Sequence, residues 1–100
     1  MQIAGGDMLF VKEILQVIHD ELPVEILAYQ QSINNIAFAE AASNVHKIKH
    51  KIAILGMDEG VILATIYENQ LKKGNRNLEN AFQDLLSDMT IFINQQQFPK

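Results

Sequence analysis

The chain has no cysteine, two prolines and five glycines in 100 residues. Without cysteine there is no disulfide and no thiolate metal site, and the lack fits a reducing compartment. No apolar run approaches the ~20 residues that cross a bilayer. The first residues lack the basic stretch and apolar core of a secretory leader. No segment alternates apolar and polar residues, and no Asn-Gly or Asp-Gly pair marks a hairpin. There is no internal repeat, low-complexity run or linker. No phosphate-cradling glycine loop is present, so direct use of ATP is not expected. Net charge is −4, without the basic excess that nucleic acid attracts.

What is present favours helix. The apolar fraction is 48% and the charged fraction 20%, which suits one folded domain with a single core over residues 1–100. Leucine, isoleucine, alanine, glutamate, glutamine and lysine are abundant, all compatible with helix. Five helices are expected. The first follows Gly5-Gly6, is capped by Asp7, runs to about residue 21 and carries Val11, Ile14, Val17 and Ile18 as its apolar positions. Pro23 then interrupts the pattern and suits the first turn of a second helix ending near Ser32 or Ile33, with Ile26, Leu27, Ala28 and Ile33 inward. Asn34 and Asn35 end it and offer a cap to the third, from residue 36 to residue 55. Gly56 stands where a helix end takes a left-handed residue. Asp58 caps the fourth helix, to about Lys73, with Val61, Ile62, Ile66 and Leu71 apolar. Lys72, Lys73 and Gly74 close it. Asn75 or Asn77 opens the fifth, whose stripe is Leu78, Phe82, Leu85, Met89, Phe92 and Ile93. Phe82, Met89 and Phe92 are expected in the core, and residues 95–100 as a frayed tail around an ordered 7–94. Short connections between long helices favour antiparallel neighbours. The expected fold is all-α, an up-down antiparallel four-helix bundle with an additional short N-terminal helix.

Residues 45–57 carry the chemistry. Val45, Ile48, Ile52 and Leu55 share one helical stripe, and His46, Lys49, His50 and Ala53 form the stripe beside it. Between Glu40 and Asp58 stand Lys47, Lys49 and Lys51 with no acid, a local basic patch on an acidic body. Such a patch would steer a partner with an acidic site. A histidine on the polar side of an amphipathic helix, among lysines, suits a surface nucleophile for phosphoryl transfer. The lysines would disfavour the imidazolium and later neutralise the phosphoryl group. A plain surface histidine has the same spacing. His46 and His50 lie four apart and could share a metal, but two ligands make a weak site and no carboxylate on that helix joins them, so no metal is expected. His19, near the end of the first helix, suggests only contact with terminal carbonyls.

The order of these motifs resembles histidine-containing phosphotransfer (HPt) domains of two-component phosphorelays. Val45-His46-Lys47-Ile48-Lys49, then Leu55-Gly56, follow the family pattern of a small or apolar residue, His, any residue, an aliphatic residue and Lys, with Leu-Gly ending the helix. Gly5-Gly6-Asp7 with Phe10 to Leu15, and Glu21-Leu22-Pro23, resemble its first helix and the break after it. The resemblance implies His46 as phosphoryl acceptor, Lys49 as the charge that stabilises the phosphoryl group, and Gly56 as structural. His50, Lys47, Lys51, Ala53, Phe10 and Ile14 are expected at the partner surface; Phe10 and Ile14 at that spacing also suit a core. His50 and Lys51 replace the small residue, and often serine, that usually follow the lysine and let a partner approach closely. The implied partners are response-regulator receiver domains and a hybrid sensor histidine kinase, with no nucleic acid and no membrane contact. Mg²⁺ and the aspartyl phosphate belong to the receiver, and this chain needs no cofactor of its own. The implied setting is the cytoplasm, as a monomer, either free or as the terminal domain of a larger sensor kinase. Two other functions fit the same residues: a non-catalytic module that docks a receiver or another signalling protein, and a bundle stabilised by metal.

Overall fold

A computed structural model describes residues 7–96, residues 7–9 by their backbone alone. The Gly5-Gly6 pair and the last four residues of the expected tail lie outside the described residues. Four helices, and no strand, occur among the described residues: α1 (Asp7–Asn34), α2 (Phe38–Ile54), α3 (Asp58–Lys72) and α4 (Glu79–Asn94). Each helix packs on its sequence neighbour, and α4 returns to α1. The result is a helical bundle around one core. None of the four is long and apolar enough to cross a membrane.

The two helices expected on either side of Pro23 are one. Pro23 lies inside α1, so the expected break and the separate short N-terminal helix do not appear. A proline within a helix removes one ladder hydrogen bond and costs about 3 kcal/mol. Ile18, Leu22, Tyr29 and Ile33 flank it on one buried stripe, and full burial of such side chains is worth about 1.5–3 kcal/mol each. Continuity therefore wins. Pro23 itself is exposed, so its ring displaces nothing from the core.

Three helices end in the same way. After α2, the amide of Gly56 donates to the Ala53 carbonyl at 3.0 Å and that of Met57 to Ile52 at 3.2 Å. After α3, Gly74 and Asn75 donate to Leu71 and Gln70, both at 2.9 Å. These are Schellman ends, which place a left-handed residue between helix and loop. Gly56 (φ +75°) and Gly74 (φ +77°) supply it. After α1 the same pair of bonds forms from Ile36 to Ile33 at 3.0 Å and from Ala37 to Ser32 at 2.8 Å. There the left-handed position is Ile36, at φ +57°. The third expected helix therefore starts at Phe38 and not at residue 36. Asp58 is the first residue of α3 and does not cap it; Met57 holds the cap position without a side-chain bond. Asn75 opens the way to α4 by accepting the Asn77 amide at 2.7 Å.

The core takes Val45, Ile48 and Ile52 from α2, as the stripe predicts, with Tyr67 and Leu71 from α3 and Phe82, Leu86 and Met89 from α4. Phe92 is 40% exposed and is not core. Leu27, Ile62 and Ile66 also face outward. The rings of Tyr29, Tyr67 and Phe82 meet edge-on or tilted at the centre, with the two phenol oxygens 2.5 Å apart. Gly60, on α3, is buried where a Cβ would lie 2.9 Å from Ile52 Cγ2 and 3.0 Å from Leu85 Cδ1. The missing side chain lets α3 sit close to both α2 and α4.

Candidate functional site around His46

His46 lies one position past Val45 on α2, at the edge of the buried stripe, and its side chain is 52% exposed. Its ring is held from both sides. Nδ1 is 3.2 Å from the Glu68 carboxylate on α3. Nε2 is 3.3 Å from Nε2 of His50, one turn along α2. A carboxylate only accepts, so the proton between His46 and Glu68 sits on Nδ1 and His46 donates it. In the neutral ring Nε2 then carries the lone pair, and His50 donates its own Nε2–H to it.

Glu68 is the residue that the sequence reading lacked. Only 7% exposed, it accepts from Lys49 Nζ at 3.0 Å and pairs with Lys72 at 3.4 Å, one turn along α3. Burial pushes its carboxyl up, but the hydrogen bonds from Lys49 and His46 outweigh that and hold it below the usual carboxylate range. A signal for it exists in the sequence. Ala64, Glu68 and Leu71 are spaced four and three apart, so Glu68 falls on the inward stripe of α3. A carboxylate at an inward position requires cationic partners.

Lys49 therefore meets His46 through Glu68, and both side chains end on the same carboxylate. Lys51 lies elsewhere. It turns to α1, with Nζ 3.0 Å from both Glu21 and Glu25. Burial lowers the affinity of its amine for a proton, and the two carboxylates more than restore it, so the ammonium is held above its usual range. Lys47 lines a polar groove between α1 and α2 with Ser32, Glu40, Ser43 and Asn44. The basic patch expected from residues 47–51 is thus divided among three surroundings, and acids from α1 and α3 offset two of its lysines. Ala53 is exposed on the His46 side, and Gly56 makes the turn described above.

Phe10 and Ile14 line an apolar groove with Val17, Ile18 and Ile54, rimmed by Glu13, Glu21 and Lys51. Phe10 is 59% exposed and Ile14 half-buried against the core. Ile54 lies eight residues from His46, about 12 Å along the helix axis. Hence Lys51, Phe10 and Ile14 come together, while His46 and Lys49 gather at Glu68 and His50 meets His46. Among the described residues no group of three or more His, Cys, Asp and Glu is arranged to hold a metal ion.

Comparison of the chain with family models, curated proteins and solved structures gave no match.

Proposed function

We propose that this chain belongs to the class of phosphoryl-carrier bundles, helical domains that hold a phosphoryl group on a histidine between two partner proteins. Within that class its role is that of an HPt intermediate in a two-component phosphorelay, taking the group from a receiver aspartate onto His46 and passing it to another receiver. The four helices would run in the antiparallel, up-and-down order of such bundles. The observation that carries the reading is the Glu68 carboxylate 3.2 Å from His46 Nδ1. It fixes the tautomer and leaves Nε2 as the nucleophile at an exposed edge, as an orienting carboxylate does for a catalytic histidine.

In the transfer, the Nε2 lone pair attacks phosphorus as the P–O bond to the aspartyl carboxyl breaks. The bonding electrons leave with that carboxylate. The ring gains positive character, and its Nδ1 proton remains shared with Glu68. Lys49 and Lys72 keep Glu68 ionised for this purpose, and the receiver supplies Mg²⁺. The receiver would rest on the apolar groove of Phe10, Ile14, Val17 and Ile54. The test is intact-mass analysis after mixing the chain with phosphorylated receivers and Mg²⁺. One phosphoryl group should appear on wild type and none on His46→Gln; equal labelling of both would refute the assignment.

A second reading has one specific observation behind it. His50 Nε2 is 3.3 Å from the nitrogen that must attack, so the ring covers the nucleophile. If the cover is permanent, the chain docks receivers without taking their phosphoryl group. In that case wild type binds a receiver unlabelled, and His50→Gly restores labelling.

A further inference from the structure

We propose that His46 and His50 together form a zinc-binding site, with the ion held between their two Nε2 atoms. The spacing of these atoms is that of ligands on one ion. Two nitrogens bound to zinc at about 2.05 Å, at a tetrahedral angle, lie about 3.3–3.4 Å apart. The Nε2 atoms here are 3.3 Å apart. The two rings stand at 78° with centroids 4.9 Å apart, so they converge at their tips without stacking. Both are anchored to successive turns of one helix, which holds the separation without a loop having to close.

The surroundings supply the other requirement. A histidine that binds a metal through one nitrogen characteristically donates the other N–H to a carboxylate, which fixes the ring and strengthens it as a ligand. His46 does this with Glu68. For His50 to bind, its proton moves to Nδ1, leaving its Nε2 lone pair for the ion. No third protein ligand stands by among the described residues, so water fills the remaining positions at this exposed edge. Two ligands out of four give a modest site, weaker than a four-ligand structural one. Such an ion is a reversible ligand and not a structural part of the fold.

The consequence rests on the proposed function. The ion would occupy the same nitrogen that attacks phosphorus, so zinc and the phosphoryl group exclude each other.

The decisive measurement is calorimetric titration of the full chain with Zn²⁺ at neutral pH, with His50→Gln and Glu68→Gln alongside. One zinc per chain is expected, with affinity at least tenfold weaker in His50→Gln and weakened to a smaller degree in Glu68→Gln. Nitrogen NMR of the wild-type imidazoles should show both Nε2 resonances moving on zinc addition. No binding up to 1 mM Zn²⁺, an unchanged isotherm in His50→Gln, or movement at Nδ1 alone would overturn the site. A phosphoryl-acceptance assay then separates the two claims. Zinc should block labelling of wild type, EDTA in the presence of excess Mg²⁺ should restore it, and the zinc effect should vanish in His50→Gln. If wild type is never labelled, with or without zinc, the phosphorelay reading fails while the titration still decides the zinc site.

Discussion

On its two sides, α2 meets its neighbours through two charged clusters built on opposite plans. Towards α1 the enclosed group is a cation: Lys51, its side chain 12% exposed, sits between Glu21 and Glu25. Towards α3 it is an anion: Glu68, its side chain 10% exposed, sits among Lys49, Lys72 and His46. The first cluster is closed, a lysine whose ammonium ends on two carboxylates. The second is open. One of its members is an imidazole that gives Nδ1 to the cluster and turns Nε2 away from it, towards His50 at the exposed edge. Charge placed at a helix interface can therefore act as a tie or as a holder. The difference lies in whether one partner also places a reactive atom outside the cluster.

The sharpest way to break the contrast is His46→Gln, which removes that outer nitrogen. Phosphoryl labelling should be lost altogether while circular dichroism and thermal midpoint stay near wild type. Next comes Glu68→Gln, which keeps the shape but not the charge. A hydrogen bond to a charged group is worth about 1.5–3 kcal/mol, so labelling should slow by about ten- to a hundredfold if that bond is retained into the transition state. Imidazole nitrogen shifts should show His46 relaxing from the Nδ1–H tautomer towards a mixture. An unaltered tautomer would mean that Glu68 serves only to tie α3 to α2.

Lys51→Ala tests the closed cluster. Breaking a fully buried ion pair costs about 3–5 kcal/mol and an exposed one below ~1. Glu21 is half-exposed and Glu25 is not, and Glu25 Oε1 is already buried without a hydrogen-bond partner. A loss of about 1–3 kcal/mol in urea denaturation is expected. The clusters should also differ in their response to pH. Glu68 binds its proton less tightly when folded, so its contribution is present above its ordinary value of 4.5 and fades as pH falls through the lower folded value. Lys51 binds its proton more tightly when folded, so its contribution is present below 10.5 and fades only as pH rises through the higher folded value. The stability gap between wild type and Glu68→Gln should close in acid, and that for Lys51→Ala in strong base.

The smallest effect supplies the baseline. Ile36→Gly relieves a β-branched residue from a left-handed position that costs an L-residue about 1–2 kcal/mol. Ile36 is 66% exposed, so little apolar burial is forfeited. A gain of about 1 kcal/mol is expected, read as a higher urea midpoint, with both clusters untouched.

The sequence shows the helices more plainly than their partners. The buried stripe of Val45, Ile48 and Ile52 and the turn at Gly56 follow from periodicity and from glycine's freedom alone. Pro23 misleads because a local propensity competes with a longer stripe, Ile18 to Ile33, that only tertiary packing rewards. Ile62, Ile66 and Phe92 mislead because a moderately apolar helix carries more hydrophobic residues than its inner face can hold. Of the site, His46 and His50 are legible as a one-turn pair. Glu68 is 22 residues distant from His46, and its pairing is a property of the α2–α3 contact. The lysines of residues 47–51 read as one patch along the chain, yet successive positions on a helix point about 100° apart and so meet different neighbours.

Gly60 gives this geometry an unexpected point of fragility. It bears no chemistry and lies two turns of α3 before Glu68. Yet Ile52 and Leu85 close in on the space where its side chain would be, and that closeness sets how near α3 can come to α2. An added methyl there would have to displace the Ile52 side chain or widen the α2–α3 gap, and the reach of a carboxylate to an imidazole tolerates only tenths of an ångström before the bond weakens. The residue with the least to offer chemically is thus among those whose replacement the imidazole would feel first. A search for inactivating changes confined to polar side chains would overlook it.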